Sequence, residues 1–213
     1  MDTQAEARIL AAVDDLFEAQ VRLTQDLVRF PSLRGQEHTI QDFVYELLRS
    51  RGAVMDRWRI TEDDIKHHPG FSPIDVSYES AWNVVGSFRP QNESGRSLIL
   101  NAHVDVVPTG PADMWTAPPF EPTIRDGWLF GRGSADMKAG LAANIFALDA
   151  IRVAGFTPQA TVHIQSVVEE ESTGNGTLAA SARGYRADAV VCPEPEEEKL
   201  VRANAGVVWF WCG

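Results

Sequence analysis

The residues best able to do chemistry are one histidine and a set of acids that follow apolar runs. His103 and Asp105 end the apolar run 97–102. Asp136 follows a glycine-containing turn, and three glutamates stand together at 169–171. An imidazole nitrogen with several carboxylates is a donor set for divalent cations. Because strands of an α/β sheet deliver ligand-binding residues at their ends, these side chains predict a metal site at one edge of a sheet.

The His-x-Asp pair allows two interpretations. Residues two apart on an extended segment point to the same side, so His103 can bind a cation while Asp105 reaches the other ring nitrogen. A buried histidine that bonds a carboxylate without any metal has the same pattern. The pair alone does not separate these two interpretations.

The other acids are also ambiguous when taken singly. Asp136 precedes a predicted helix over 138–154, where the helix dipole favours a carboxylate whether or not it binds a ligand. The glutamates 169–171 follow a predicted strand over 159–168, and such runs usually form solvated turns. In an active site, one glutamate can bind a metal while its neighbour acts as general base. Glu194 lies between two prolines that hold its backbone.

Other motifs are assigned no chemistry. The Gly-x-Gly at 131–133 resembles the start of a dinucleotide fingerprint, but an acid stands at the third glycine position and no suitable βαβ unit leads into it. His67 and His68 lie in the polar segment 61–80 and lack a third ligand nearby, so we expect a solvated loop. His163 lies in mid-strand and is predicted to be structural.

Composition excludes several classes of function. The 213 residues are 44% hydrophobic and 23% charged, as in a globular protein with a substantial core. A net charge of -11 argues against nucleic-acid and anionic-membrane partners. Two cysteines form no disulfide framework, and neither a signal peptide nor a long apolar run is seen. We therefore predict a cytoplasmic protein.

Hydrophobic periodicity predicts an α/β fold. Helical periods cover 6–30, 38–51 and 138–154, with Gly52 ending the second helix. Strands are predicted at 53–60, 82–88, 97–104, 128–130, 159–168 and 187–192, with a short helix over 176–183. The turn-rich connection between 82–88 and 97–104 predicts a hairpin, and Cys192 is expected in the core.

Four ordered motifs resemble the M20 family of metallopeptidases and deacylases, which includes acetylornithine deacetylase, succinyl-diaminopimelate desuccinylase, aminoacylase and a carboxypeptidase. The motifs are LNAHVD at 100–105, DGWLFGRGSADMK at 126–138, VEEES at 168–172 with Gly176 beyond, and Glu194-Pro195. The resemblance runs from about residue 23 to the C-terminus. It implies a zinc-exopeptidase-like α/β catalytic domain, in which helices flank a mixed central sheet. The segment 131–138 fits the deacetylase and desuccinylase subgroup closely.

The resemblance also implies a centre with two divalent metal ions. Zinc is expected, and Co²⁺ or Mn²⁺ are alternatives for a carboxylate-rich site. His103 and Glu194 would be ligands of the first metal, and Glu171 a ligand of the second. Asp136 would be the carboxylate that bridges the two ions.

Catalytic roles follow from the same resemblance. Asp105 would orient the His103 ring, and Glu170 would be the general base in amide hydrolysis. Glu169 stands where the family often has aspartate, which leaves the register of the three glutamates open. A non-proline cis peptide bond is implied at 136–137.

One departure from the family concerns the second metal. Its late histidine ligand and the family's lid or dimerisation domain are not among these 213 residues. We therefore expect residues 1–205 to be the N-terminal part of a catalytic domain and 206–213 to begin a strand toward the lid. A chain of this extent should bind one metal better than two and have little activity, with the edge at 207–211 prone to aggregation. The full-length form could dimerise through the lid.

Three functions remain open at this point. The first is a deacylase of N-acyl amino acids, and the second is a di- or carboxypeptidase with the same metal centre. The third is a truncated, inactive or non-catalytic binding module descended from the enzyme. In the first two cases the partner is a small N-acyl amino acid or a short peptide.

Overall fold

The structure of the chain is a computed structural model that describes residues 2–196, 199 and 201. The strand expected at 206–213, with its edge at 207–211, and the domain boundary after 205 lie outside the described residues. The elements are α1 Thr3–Val28, α2 His38–Ser50, β1 Val54–Arg59, α3 Glu62–Ile65, β2 Trp82–Phe88, β3 Leu98–His103, β4 Thr123–Arg125, β5 Trp128–Phe130, α4 Ala139–Val153, β6 Val162–Val167, α5 Asn175–Ala182 and β7 Ala189–Val191.

Five strands form a mixed central sheet in the order β1-β2-β6-β3-β7. β2 is antiparallel to both β1 and β6, whereas β3 is parallel to both β6 and β7. β4 and β5 form a separate antiparallel hairpin. Helices flank the central sheet, so the predicted fold class is confirmed.

The predicted hairpin between the second and third strands is wrong, because β6 lies between β2 and β3. Every residue of β6 is buried, and a fully buried strand is stable only if hydrogen-bonded neighbours lie on both sides. The connection from β2 to β3 crosses the start of β6, where the Ser94 amide donates to the Gln159 carbonyl at 2.7 Å. Local turn signals carry no information about this long-range insertion.

α1 and α2 form because each has one apolar face to bury, whereas α4 is apolar on most sides and is largely buried. α1 packs along α4, and α2 packs on β1 and β2. Gly52 has a φ of 82° and follows the end of α2, as predicted. No helix within the described part of the chain combines the length and the hydropathy needed to cross a membrane.

The register of the sheet brings three strand ends to one edge. His103, the last residue of β3, pairs with Val167, the last residue of β6. β7 is parallel to β3 and ends three residues before Glu194. Cys192, expected in the core, is instead exposed, because β7 is an edge strand whose residues are all exposed.

Candidate metal centre

His103 lies at the centre of a cluster of acids. Its side chain is 1% exposed, and its Nδ1 lies 2.9 Å from the main-chain oxygen of Asp105. A carbonyl oxygen only accepts, so a neutral ring carries its hydrogen on Nδ1 and keeps a lone pair on Nε2. That Nε2 lies 3.1 Å from an oxygen of Asp136 and 3.7 Å from oxygens of both Glu170 and Glu194. The nitrogen that could bind a cation therefore faces three carboxylates.

The structure brings together all of the residues expected to bind metal. One group of close donor atoms consists of His103, Asp136 and Glu171, and a second consists of His103, Glu170 and Glu194. Within each group the donor atoms lie within 4.8 Å of one another. The acids come from three different segments, so the cluster depends on the tertiary fold.

A tight turn delivers Asp136 to the cluster. The segment Ser134–Lys138 is an irregular turn between β5 and α4, and Gly133 precedes it with a φ of 76°. A Cβ atom on Gly133 would lie 2.6 Å from Cγ1 of Val106, so a side chain would collide there. The Asp136-Met137 peptide bond is cis, as the resemblance implied.

Asp105 contacts the His103 ring mainly through its backbone. Its carboxylate lies 3.4 Å from Nδ1, farther than its own carbonyl oxygen. The carboxylate instead accepts hydrogen bonds from the amides of Glu170, at 3.2 Å, and Glu171, at 3.1 Å. Sequence reasoning expected only the contact with the ring. The fully buried Asp105 thus ties the end of β3 to the glutamate turn.

The clustered acids differ in the direction of their pKa shifts. Burial, together with repulsion from Asp136 and Glu170, raises the pKa of Glu194 to about 7, although His103 opposes this shift. Burial is also the main cause that raises the pKa values of Glu170 and Glu171. The hydrogen bond to His103 instead lowers the pKa of Asp136, against the effect of burial.

His103 provides the positive charge that the cluster requires. Burial alone would lower its pKa, but hydrogen bonds to Asp105 and Asp136 outweigh burial and raise the pKa to about 11. One imidazole nitrogen with several carboxylates within 4.8 Å of one another is a donor set that fits a divalent metal.

Two buried charged residues near the site were not predicted. Glu37 is 0% exposed, and within the described residues neither oxygen of its carboxylate has a hydrogen-bond partner. Lys138 is equally buried, and its Nζ donates to the Phe30 carbonyl at 2.8 Å. Burial lowers the pKa of Lys138 to about 7, against the attraction of Asp105. Charged residues beside a helix start are usually exposed, so the sequence offered no signal of this burial.

The histidines assigned no chemistry lie where they were expected. His67 and His68 are exposed in the segment after α3. His163 is buried in β6, and its Nδ1 lies 2.8 Å from the Ser87 hydroxyl. Neither arrangement brings a third metal-binding side chain to these rings within the described residues.

Comparisons with known proteins find similar sequences and similar folds. The N-formyl-4-amino-5-aminomethyl-2-methylpyrimidine deformylase of Halalkalibacterium halodurans is 31% identical over 207 residues, which are 95% of this chain and 44% of that protein. Human carnosine dipeptidase 1 superposes with a TM-score of 0.68 at 17% identity, over 87% of this chain and 40% of that one. The M20 family metallo-carboxypeptidase Sso-CP2 of Sulfolobus solfataricus superposes with a TM-score of 0.63 at 17% identity, over 82% of this chain and 37% of that one.

These matches differ in what they establish. At 17% identity the two solved structures show a shared fold alone. This chain spans less than half the length of the relatives that it matches. The model of the family described as peptidase family M20/M25/M40 matches residues 99–208, more than half of the chain. The chain therefore belongs to peptidase family M20/M25/M40.

Proposed function

We propose that this chain supplies most of the metal centre of an amide hydrolase that cleaves N-acyl amino acids. The observation that carries the proposal is the convergence of the His103 Nε2 with four carboxylates at one edge of the central sheet. Such a donor set, partly open to solvent, suits metal-assisted hydrolysis.

In this proposal the centre holds two divalent metals, with zinc expected and cobalt or manganese as alternatives. His103 and Glu194 bind the first ion, Glu171 binds the second, and Asp136 bridges them. His103 belongs to both groups of close donor atoms, whereas Glu171 shares one group with Asp136 and Glu194 falls in the other. This separation of Glu171 from Glu194 supports the division. The second ion has fewer ligands among the described residues, so it should bind more weakly.

Glu170 is proposed as the general base. When bound, the divalent cations supply Lewis acidity that polarises an amide carbonyl and makes water easier to deprotonate. Glu170 accepts a proton from the attacking water as the water oxygen bonds to the carbonyl carbon. It then donates that proton to the amine nitrogen as the C–N bond breaks, which regenerates the carboxylate.

The substrate class rests on both the sequence and its relatives. The segment 131–138 fits the deacetylase subgroup, and the relative from H. halodurans is named as a deformylase, which removes an N-acyl group. The second candidate is a di- or carboxypeptidase. Two structures with the same fold are named as a dipeptidase and a carboxypeptidase. The peptide bond is an amide bond, as is the bond in an N-acyl amino acid.

The substitution Glu170→Gln tests the assignment of Glu170 as general base. It is made in the protein expressed from its complete coding sequence. We expect kcat to fall roughly 10²- to 10⁴-fold, because proton transfer is lost. Metal content should stay unchanged, since Glu170 is not a proposed ligand. A panel of N-acetyl amino acids and dipeptides identifies the substrate class.

The matched control is Glu46→Gln, which changes an exposed glutamate on α2. It should leave kcat unchanged. If Glu170→Gln turns over at the wild-type rate, the assignment of the base is wrong. Cleavage of dipeptides but not of N-acetyl amino acids would favour the second candidate.

A further inference from the structure

Glu169 is the acid of the glutamate turn that does not belong to the metal cluster. Its side chain is 1% exposed, and its carboxylate accepts hydrogen bonds from Nε of Arg34 at 2.8 Å and from the Tyr78 hydroxyl at 3.2 Å. The Thr173 hydroxyl donates to the same carboxylate at 3.0 Å. This acid is therefore fully engaged inside the protein, while its two neighbours face the cluster.

The backbone of Glu169 shapes the turn that carries those neighbours. Its φ is 64°, a left-handed conformation that residues other than glycine seldom adopt. Its carbonyl accepts hydrogen bonds from the amides of Thr173, at 3.2 Å, and Gly174, at 2.8 Å. The next two amides, of Glu170 and Glu171, donate to Asp105. The unusual backbone conformation is thus held by contacts on both sides of the turn.

Arg34 and Tyr78 connect this turn to two distant segments. Arg34 lies between α1 and α2, and it also pairs with Asp75 at 2.5 Å. Tyr78 lies just before β2, and its hydroxyl accepts a hydrogen bond from Asn175 at 3.0 Å. Asn175 in turn bonds both the amide and the carbonyl of Ser72. Ser72 and Tyr78 therefore attach the later part of the segment between α3 and β2 to the glutamate turn, whereas residues 66–70 of that segment are exposed.

We propose that Glu169 is a positioning residue, whose ion pair with Arg34 holds the turn so that the following glutamates can bind and serve the metal. This inference rests on the metal centre proposed above and adds a pair of residues outside it. Residues that orient metal ligands typically change metal affinity 10- to 100-fold when they are replaced. Glu169 and Arg34 would act through the backbone of the turn, without touching the metal.

The chain contains a matched ion pair far from the cluster. The carboxylate of Asp56 accepts two hydrogen bonds from Arg183, at 2.8 and 3.0 Å, and one from the Tyr185 hydroxyl at 2.8 Å. Asp56 thus shares an arginine and a tyrosine donor with Glu169, although Glu169 also accepts from Thr173 and is more deeply buried, at 1% exposure against 31% for Asp56. Asp56 lies on β1, the outer strand on the far side of the sheet from β3. Asp56→Asn therefore measures how much stability is lost when a carboxylate–arginine pair is removed, while the glutamate turn stays unchanged.

The experiment compares Zn²⁺ affinity, measured by competition with a chromophoric chelator, with the free energy of unfolding in EDTA. The variants are Glu169→Gln, Arg34→Gln, the double variant and Asp56→Asn. Glu169→Gln should weaken Zn²⁺ binding roughly 10- to 100-fold. Asp56→Asn should lose stability but keep its affinity within about twofold, because the geometry of the turn is unchanged.

Arg34→Gln separates positioning from simple electrostatics. Removal of a positive charge near the cluster would tighten cation binding if charge alone mattered. Positioning instead predicts weaker binding, with the double variant losing less than the product of the two single effects. A glutamine at position 34 can still donate a hydrogen bond to the Glu169 carboxylate, and the Tyr78 and Thr173 hydroxyls continue to donate to it, so we expect Arg34→Gln to fold.

Three outcomes would overturn the inference. Tighter binding in Arg34→Gln would show an electrostatic effect, and unchanged binding in both single variants would show no effect on the metal. An equal loss of affinity in Asp56→Asn would show that general stability is responsible. If the wild-type chain binds no Zn²⁺ at all, the proposed metal centre fails as well, and this result is distinct from the other three.

Discussion

At the scale of residues, two buried glutamates behind the cluster differ in their partners. Glu169 is bonded to Arg34 and Tyr78, so its negative charge is balanced inside the protein. Glu37 is equally buried, but its carboxylate has no hydrogen-bond partner within the described part of the chain. Burial raises the pKa of Glu37 to about 7, with repulsion from Asp105 and Glu169 adding to the shift and the nearby backbone amides of Glu37 and Gly35 opposing it. Glu37 thus holds a proton up to nearly neutral pH.

Because Glu37 is buried, we predict that part of the pH dependence of the free energy of unfolding comes from this residue. The substitution Glu37→Gln should remove that part. The pKa is 4.5 in the unfolded chain and about 7 in the folded protein, so the folded state retains the proton over this interval. The free energy of unfolding should therefore fall as pH rises from about 4.5 to 7, by about 3 kcal/mol at most from this residue. Urea unfolding of wild type and Glu37→Gln, in EDTA across that range, measures the difference.

The variant should lose that part of the slope, because glutamine does not titrate. Burying the glutamine amide can also lower the free energy of unfolding, but by the same amount at every pH. That cost does not change how steeply the free energy of unfolding varies with pH. Parallel curves for the two proteins between pH 4.5 and 7 would contradict the raised pKa of Glu37.

At the scale of elements, local patterns predicted most of the site. Apolar periodicity placed α1, α2 and α4, and the apolar runs placed His103 and the glutamates at the ends of β3 and β6. Parallel strands that end at the same level then bring these residues together, which needs no detailed knowledge of packing. The choice of Asp136, Glu171 and Glu194 as metal ligands came instead from the resemblance of the motifs to the M20 family, because each acid taken singly was ambiguous.

Features set by long-range packing could not be predicted. The insertion of β6 between β2 and β3 depends on strand pairing across most of the chain. The burial of Glu37 and Lys138 depends on how segments close over them. Asp105 was expected at the ring but mainly holds the glutamate turn, a contact between residues 65 and 66 positions apart. Periodicity and spacing describe neighbours in sequence, so they carry no information on such contacts.

The start of α4 offers a test of how elements position Glu194. A Cβ atom on Gly140 would lie 2.5 Å from the main-chain oxygen of Pro193, the residue before Glu194. Alanine favours a helix over glycine by roughly 0.5–1 kcal/mol, but this close contact outweighs that gain. Gly140→Ala should destabilise the protein by about 1–3 kcal/mol and weaken Zn²⁺ binding, as urea unfolding and chelator competition would show.

Gly70→Ala is the control for this prediction. Its Cβ would lie 3.8 Å from Leu178 Cδ1, an ordinary contact. We expect its affinity for Zn²⁺ to equal that of wild type. Wild-type affinity in Gly140→Ala as well would mean that the segment before Glu194 does not have to lie close to α4.

At the scale of the whole molecule, charge and metal binding are connected. The chain has a net charge of -11, and a dense group of its acids meets at one edge of the sheet. Divalent cations there would relieve the repulsion among these carboxylates and bind the folded state preferentially. The lid, the dimer and the cytoplasmic location stay predictions, since the described residues contain nothing that tests them.

The most direct test of the account is the Zn²⁺ content of this 213-residue chain. The protein would be dialysed against low free Zn²⁺ and measured by elemental analysis, beside His103→Ala and the exposed-residue control His67→Ala. We predict one tightly bound Zn²⁺ per chain in wild type and in His67→Ala, a second ion only at higher free Zn²⁺, and loss of the tight ion in His103→Ala. Absence of bound Zn²⁺ in wild type, or an unchanged content in His103→Ala, would contradict the proposed metal centre.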